Sequence, residues 1–248
     1  MLDHTNKNWV LSGASFSFDI ACPDYFVVIL QQTLNGWGVS RGLEERPPQI
    51  RVQRTEDRYS IDAQVMAKPI VDSSIINILN EFFVVLAYQC CNADERAELL
   101  HCGSYRDGEK NFIVVGEKNS GKSTKMLQSA LNGLEVLADD LLLWYPSSGE
   151  FVAVGLPLRL RRPVLNLEGA ELAAEMFFAS ESIAYSKRDV FKIAPVGETF
   201  LLDELLVLSE AYSFQRVSLL KTTAKLREHL IGLDYTSVKR ERLDSHHG

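Results

Sequence analysis

The sequence is poor in cysteine, and this excludes two classes of protein. Its 248 residues include only 4 cysteines, and no two of them are spaced as a CxxC pair. So few cysteines at irregular positions argue against a disulfide-rich scaffold, and without a CxxC pair a cysteine-based zinc site is not expected. We therefore expect a reducing compartment. The adjacent Cys90 and Cys91 fall in an apolar stretch and are expected to be buried packing residues.

The sequence also lacks a signal peptide, a long apolar run and a net positive charge. Residues 1–6 do not contain a basic segment followed by an apolar one. The longest strongly apolar stretch, residues 82–88, is far shorter than the roughly 20 residues that cross a membrane. With 26 Lys and Arg against 33 Asp and Glu, the net charge is −7, which disfavours nucleic acid as a partner. We expect a cytoplasmic protein without a nucleic-acid or membrane partner.

Residues 1–98 are predicted to form a small α+β unit that recognises a substrate or builds an oligomer. Apolar residues alternate with polar ones on both sides of residues 55–58, which predicts a β-hairpin. Apolar residues then recur at helical spacing over residues 75–91, after a cap at Asp72 or Ser73. Because both faces of this helix are apolar, we expect it to lie between two layers.

Residues 99–248 are predicted to form an α/β domain, because short apolar strands there alternate with helices. Strands are expected at residues 99–102, 112–115, 136–138, 141–144 and 205–208, with a turn at residues 106–109. One helix is expected to begin near Lys122 and to end at Gly133. A last helix is expected to extend to Leu230.

A glycine-rich pattern lies between a predicted strand and a predicted helix. Residues 116–123 fit G-x-x-x-x-G-K-[ST], in which backbone N–H groups face a phosphate at a helix N-terminus. Lys122, expected to face solvent, would contact the β and γ phosphates, and Ser123 would bind Mg²⁺. A chance Gly- and Ser-rich turn is the alternative. The predicted nucleotide-binding residues are Gly116, Glu117, Lys118, Asn119, Ser120, Gly121, Lys122, Ser123 and Thr124.

Two adjacent carboxylates follow the next predicted strand. Asp139 and Asp140 are expected at its end, where the loops of a parallel sheet gather around a nucleotide. Adjacent strand residues point to opposite sides, so one carboxylate could hold a metal ion while the other accepts a proton from an attacking hydroxyl. A solvated pair of aspartates at a strand end is the alternative.

Two classes of nucleotide-binding protein are excluded by what the chain lacks after residue 123. A transporter ATPase needs an LSGGQ-like signature downstream of the loop, and the nearest likeness, at residues 11–15, lies upstream. A GTPase needs a downstream Asn-Lys-x-Asp, and the only Asn-Lys pair is Asn6-Lys7.

Residues 100–140 resemble the catalytic domain of the HPr kinase/phosphorylase family, which is distantly similar to phosphoenolpyruvate carboxykinase. His101 before the loop and Ala138-Asp139-Asp140 after it stand where that family has a His and an Ala-Asp-Asp. The resemblance implies that Asp139 is the general acid or base, that Asp140 binds the metal ion, and that His101 is a polar neighbour of the transferred phosphate. The family's second signature, which is tied to its phosphorylase activity, is not recognisable after residue 140.

Two arginines follow in a run similar to one in the shorter HPr-kinase-like proteins, including kinases encoded with lasso-peptide enzymes. In this run, Leu158 and Leu160 would face the core while Arg159 and Arg161 share the other strand face. That face could clamp a phosphate or a substrate carboxylate, or it could be a solvated surface.

The function expected from these patterns is that of an ATP- and Mg²⁺-dependent kinase. Its acceptor would be a serine or threonine hydroxyl of a protein or peptide, and homo-oligomerisation is left open. One alternative is a regulatory protein that binds nucleotide as a switch without transferring a phosphoryl group. The other is a kinase of a small metabolite.

Overall fold

The protein has a mixed α/β architecture, as the sequence predicts in its coarse form. The computed structural model describes residues 6–43, 45–161, 176–208 and 214–231. Over these residues, four helices accompany sheets of six, eight and three strands.

The first sheet is formed by the N-terminal part of the chain in the order β3-β1-β2-β4-β5-β6. Its strands are β1 (Lys7–Gly13), β2 (Phe16–Cys22), β3 (Gly38–Arg41), β4 (Ile50–Thr55), β5 (Arg58–Ala63) and β6 (Ile70–Asp72), and α1 (Asp24–Thr33) joins β2 to β3. Strands β2 and β4 pair in parallel, and the other pairs are antiparallel. The predicted hairpin is confirmed, since β4 and β5 pair from Ile50 with Ala63 to Thr55 with Arg58.

Helix α2 (Ile75–Asn92) contacts strands of both larger sheets, which confirms that it lies between layers. Its N-cap is Ser74, whose hydroxyl accepts a hydrogen bond from the Asn77 N–H at 3.4 Å. The predicted cap was one or two residues too early, because Asp72 instead accepts the Ser74 N–H at 2.7 Å. The helix is long and apolar enough to cross a membrane, but 78% of it is buried inside the protein, as in a core helix. Cys90 and Cys91 are buried there, as expected.

The second sheet has the order β14-β10-β9-β7-β8-β15-β16, and β17 pairs with β7. Its strands are β7 (Glu98–Asp107), β8 (Lys110–Gly116), β9 (Glu135–Tyr145), β10 (Glu150–Val152), β14 (Thr199–Leu201), β15 (Glu204–Leu208), β16 (Phe214–Arg216) and β17 (Leu230–Ile231). Only β8 and β15 pair in parallel among its described strands. The expectation of a parallel sheet around the site is therefore wrong, because β7 pairs antiparallel with both β8 and β9.

Strand β9 passes through Asp139 and Asp140 without ending. The two strands predicted at residues 136–138 and 141–144 are one strand of 11 residues, and the aspartates lie near its middle. Asp140 has a φ of 95°, in the left-handed region that few non-glycine residues adopt. The two polar residues interrupt the apolar run of this strand, and for this reason its two halves have the sequence pattern of separate strands.

Two short helices flank the second sheet. Helix α3 (Lys122–Leu131) is followed by Gly133 with a φ of 78°, so the predicted end of the helix is confirmed. Helix α4 (Leu219–Arg227) ends before the predicted position. Leu230 belongs to β17, which pairs with Leu100 of β7, and this pairing takes the chain out of the helix.

A third sheet has the order β11-β13-β12, with β11 (Arg159–Arg161), β12 (Phe177–Ala179) and β13 (Ile183–Ser186). The predicted alternation along β11 is confirmed for the leucines, since Leu158 and Leu160 are buried.

The loop after α1 is fastened to the segment that leads into β11. The Asn35 N–H donates to the Gly155 carbonyl at 2.9 Å, and the Asn35 carbonyl accepts the Val196 N–H at 3.0 Å. The Trp37 indole donates to the Val154 carbonyl at 2.8 Å. Gly155 has a φ of 71°, and a Cβ there would lie 2.2 Å from the Asn35 oxygen, so this close approach requires glycine.

Candidate functional site

The loop of residues 116–121 joins β8 to α3 and depends on its two glycines. A Cβ on Gly116 would lie 2.6 Å from the Leu208 carbonyl oxygen and 2.8 Å from the Ser120 hydroxyl, so no larger residue fits. Gly121 caps the start of α3 with a φ of 99°. Asn119 also has a positive φ, of 66°. The backbone is therefore bent into a tight turn directly before a helix N-terminus, where anions are stabilised.

Lys122 folds back onto this loop instead of facing solvent. Its ammonium donates to the carbonyls of Gly116 at 2.8 Å and Glu117 at 3.0 Å, and the residue is only 8% exposed. The expectation of a solvent-facing lysine is therefore wrong, because the loop carbonyls satisfy the ammonium internally. Burial lowers the pKa of Lys122, and the negative charge of Asp140 acts against this shift.

The register of the sheet places Asp139 next to the start of α3. Gly103 of β7 lies opposite Val114 of β8 on one side and Asp139 of β9 on the other. Asp139 therefore lies across the sheet from Val114, two residues before the loop begins. A Cβ on Gly103 would lie 2.8 Å from the Met126 sulfur, so the absence of a side chain there lets α3 pack closely over β7.

Asp139 is buried and has one oxygen without a partner. Its Oδ2 accepts the Arg159 N–H at 2.9 Å, while the buried Oδ1 has no hydrogen-bond partner among the described residues. Burial raises the pKa of Asp139 to about 6. The Arg159 N–H lowers this pKa, the charge of Asp140 raises it, and a hydrogen bond from the Ser123 side chain lowers it.

The side chain of Asp140 faces the same site, because its left-handed backbone conformation turns it to that side. Its carboxylate lies 2.9 Å from the His101 Nε2 and 3.9 Å from the Arg159 Nη1. Both aspartates line one small cavity, together with Arg159 and Tyr185. The expectation that the two aspartates point to opposite sides is wrong, because the strand alternation is interrupted at Asp140.

The two arginines of β11 reach the site in different ways. Arg161 is exposed, and its guanidinium donates to the Asn119 side chain in the glycine-rich loop. The Arg159 side chain is only 18% exposed, so it is not the solvated strand residue of the alternative interpretation. Burial acts to lower the pKa of Arg159, but Tyr185 and the two aspartates outweigh it and raise that pKa.

Sequence reasoning missed the residues that support Arg159. Tyr185 of β13 is hydrogen-bonded to the Arg159 guanidinium and donates its hydroxyl to the Asn80 Oδ1 of α2 at 2.7 Å. Both Tyr185 and Asn80 are buried. A signal was present for Asn80, because it is a polar residue three or four positions from Ile76 and Phe83 on an apolar helix face.

His229 is a second residue that sequence reasoning missed. It lies between α4 and β17, and its carbonyl accepts the His101 N–H at 3.0 Å. Burial and, after it, the charges of Lys225, Lys122 and His101 lower the pKa of His229 to about 4. The imidazole is therefore neutral at pH 7. No motif in the sequence indicates His229, which lies within the last helix that the sequence predicts.

The structure brings the candidate residues together around the loop. Ser120 and Lys122 are buried, Ser123 and Thr124 are half-buried at the start of α3, and Glu117 and Lys118 are exposed on the outer side of the loop. His101, Asp139, Asp140, Arg159 and Arg161 reach the site from β7, β9 and β11.

The donor set suits a magnesium ion that is shared with a ligand. Over the described ranges, no group of three or more His, Cys, Asp or Glu side chains could hold a metal ion by itself. Mg²⁺, however, usually takes one or two carboxylates together with substrate phosphates and water. Ser123, Asp139 and Asp140 provide such oxygens, and the unpartnered Asp139 Oδ1 shows that this set has spare capacity.

Comparison with protein-family models finds no match, and comparison with curated proteins finds no similar sequence. The function of this site is therefore inferred from its own geometry and from the motif that forms it.

Proposed function

We propose that the protein is a kinase that transfers the terminal phosphoryl group of Mg²⁺-bound ATP to a serine or threonine hydroxyl of a protein or peptide. The observation that carries this proposal is the convergence of three features at the N-terminus of α3: the loop of residues 116–121, the pair Asp139 and Asp140, whose charges act on Lys122, and the β11 arginines. The resemblance of residues 100–140 to the HPr kinase family supports the same reaction.

Phosphate binding is the task of the loop and its cations. The helix N-terminus supplies N–H groups and a partial positive charge, and Arg161 already contacts the loop through Asn119. In the structure, the ammonium group of Lys122 is hydrogen-bonded to two carbonyl groups of the loop. Phosphate oxygens carry more negative charge than carbonyls, so we expect the ammonium to exchange these carbonyls for phosphates on binding.

The acceptor hydroxyl would lose its proton to Asp139. As the new bond from the acceptor oxygen to phosphorus forms, the bond from phosphorus to the ADP oxygen breaks, and the hydroxyl proton moves to a carboxylate oxygen of Asp139. The unpartnered Oδ1 is the oxygen available for this step, because Oδ2 is held by the Arg159 N–H.

Asp140 and Ser123 would hold the metal ion, which neutralises charge on the phosphates when bound. His101 contacts Asp140 and orients its carboxylate, and Arg159 lies on the other side of the same group. Because Ser123 also lies near Asp139, exchanged roles for the two aspartates are the alternative that experiment must separate.

The roles of the aspartates are separated by metal dependence. Asp139→Asn should bind Mg²⁺-ATP like the wild type and lose roughly 10²–10⁴-fold in transfer rate, which is the usual contribution of general acid–base catalysis. Asp140→Asn should instead raise the Mg²⁺ concentration needed for half-maximal activity. The opposite pattern would exchange the roles, and near-normal rates with equal metal dependence in both variants would refute them.

The acceptor is identified with labelled ATP. Wild-type protein, incubated with the peptides encoded beside its gene or with lysate, should place label on a serine or threonine, and Asp139→Asn should not. Label on a small metabolite would favour the metabolite-kinase alternative. Partner binding that depends on ATP without any labelled product would favour the switch.

A further inference from the structure

His229 lies at the point where the glycine-rich loop leaves the second sheet. On one edge of β7, the pairing with β8 ends at Gly103 and Val114, and the pairing with β17 begins at Leu100 and Leu230. The other edge of β7 is occupied throughout by β9. Strand β17 thus pairs with the part of this β7 edge that lies beyond the end of the β8 pairing, where the chain leaves β8 and enters the glycine-rich loop. The bond from the His101 N–H to the His229 carbonyl extends this pairing toward the loop.

The side chain of His229 has a polar atom without a partner. Its Nε2 is buried and makes no hydrogen bond within the described part of the chain. Lys122 and His101 are close enough for their charges to act on the ring. A buried polar atom without a partner is costly, so native proteins seldom keep one unless a ligand or water completes it.

The surroundings indicate which ligand would complete it. Lys122 and Lys225 are the cations that act on His229, and Glu228, its neighbour in the chain, is the carboxylate that acts on it. A further cation would be repelled here, whereas an anion with acceptor oxygens would be held by the lysines and by an N–H of the ring. The phosphate chain of a nucleotide has these oxygens and is already expected at Lys122.

We infer that His229 is a phosphate-contacting residue of the nucleotide site, whose Nε2–H donates to a phosphate oxygen beside Lys122. This inference rests on the proposed function. It makes the turn between α4 and β17 a third wall of the site, besides the loop and the β11 arginines. A neutral imidazole suits this position because it supplies a donor without adding another charge next to Lys122.

The test measures nucleotide binding instead of catalysis. Mg²⁺-ADP and a non-hydrolysable Mg²⁺-ATP analogue are titrated into the full-length wild type and into His229→Ala by calorimetry. His229→Ala should bind roughly 10- to 150-fold more weakly, which corresponds to the loss of one hydrogen bond to a charged group. His229→Gln keeps a side-chain N–H donor and should lose less. Lys221→Ala is the matched control, since it removes an exposed lysine of the same helix whose charge is not among those that act on His229, and its affinity should change less than twofold.

A second readout follows the imidazole itself in the wild type. Its proton and nitrogen resonances, assigned by comparison with His229→Gln, should shift when the ATP analogue binds. If the wild type binds the analogue while His229→Ala binds equally well and these resonances do not move, His229 is not a phosphate contact and the proposed kinase function still stands. If the wild type binds no nucleotide at all, the kinase proposal fails, and this inference fails with it. If His229→Ala does not fold, the Gln variant and the wild-type resonances decide.

Discussion

Removing the charge of Asp139 should stabilise the metal-free protein at neutral pH, although it should slow phosphoryl transfer by roughly 10²–10⁴-fold. The side chain is 3% exposed, and burial raises its pKa from 3.8 to about 6. At 1.36 kcal/mol for each pKa unit, the charged carboxylate lowers the free energy of unfolding by about 3 kcal/mol above that pKa. Asp139→Asn removes the charge and keeps an oxygen that can accept the Arg159 N–H.

The sign of this effect depends on pH. Between pH 3.8 and about 6, the folded protein binds more protons at Asp139 than the unfolded chain does, because the folded pKa is the higher one. The contribution of Asp139 to the free energy of unfolding therefore falls as pH rises through this window and stays low above it. The asparagine variant does not titrate at this position. Its stability relative to the wild type should thus increase by about 2.4 kcal/mol between about pH 4 and about pH 7.5.

Urea unfolding followed by circular dichroism, with a chelator present, measures the two free energies at both pH values. Asp189→Asn is the matched control, since its side chain is 88% exposed, and its difference from the wild type should be the same at both pH values. If the difference between Asp139→Asn and the wild type is also the same at both, the carboxylate does not titrate with a raised pKa and the reasoning is refuted. The stabilised variant should still show the roughly 10²–10⁴-fold slower transfer that the loss of the base predicts.

The remaining predictions concern the other contacts of the site. Lys122→Ala should weaken ATP-analogue binding by on the order of 1.5–3 kcal/mol in calorimetry while the protein stays folded, and unchanged affinity would remove the loop from the site. Arg161→Ala should raise the KM for substrate and change the free energy of unfolding by no more than about 0.5 kcal/mol. Arg159→Ala should lower the free energy of unfolding in urea by about 1–3 kcal/mol, because its side chain is mostly buried. Equal stabilities of the two variants would contradict this difference in burial. Tyr185→Phe should destabilise the protein by about 1–3 kcal/mol, because it leaves the buried Asn80 oxygen unpaired, and a neutral substitution would show that this network has no structural role.

Local sequence patterns were enough to predict several elements. The β4–β5 hairpin, helix α2 and the glycine-rich segment before α3 all lie where alternation, helical spacing and glycine placement put them. Each of these depends on neighbours within a few residues in the chain. The candidate residues of the loop and of β11 could be named for the same reason.

The direction and register of the strands could not be predicted in this way. Whether β9 pairs parallel or antiparallel with β7 depends on contacts between distant residues, such as Gly103 with Asp139, which are 36 positions apart. The left-handed backbone of Asp140 occurs at a residue that is neither glycine nor asparagine, so the sequence gives no local signal for it. The contacts of the Lys122 ammonium with the loop and the position of His229 beside β7 also depend on tertiary contacts. Patterns in a single sequence do not reveal such contacts.

The N-terminal residues hold the site together from a distance. Asn80, on a helix between the two sheets, fixes Tyr185 and through it the guanidinium of Arg159. Asn35 is bonded to Gly155, four residues before Arg159 in the same segment. Arg159 is therefore held at two points by residues from the first hundred of the chain, and a shift of that part would move the arginine relative to Asp139. A substrate or partner that binds the N-terminal sheet would thus have a physical route to the carboxylates.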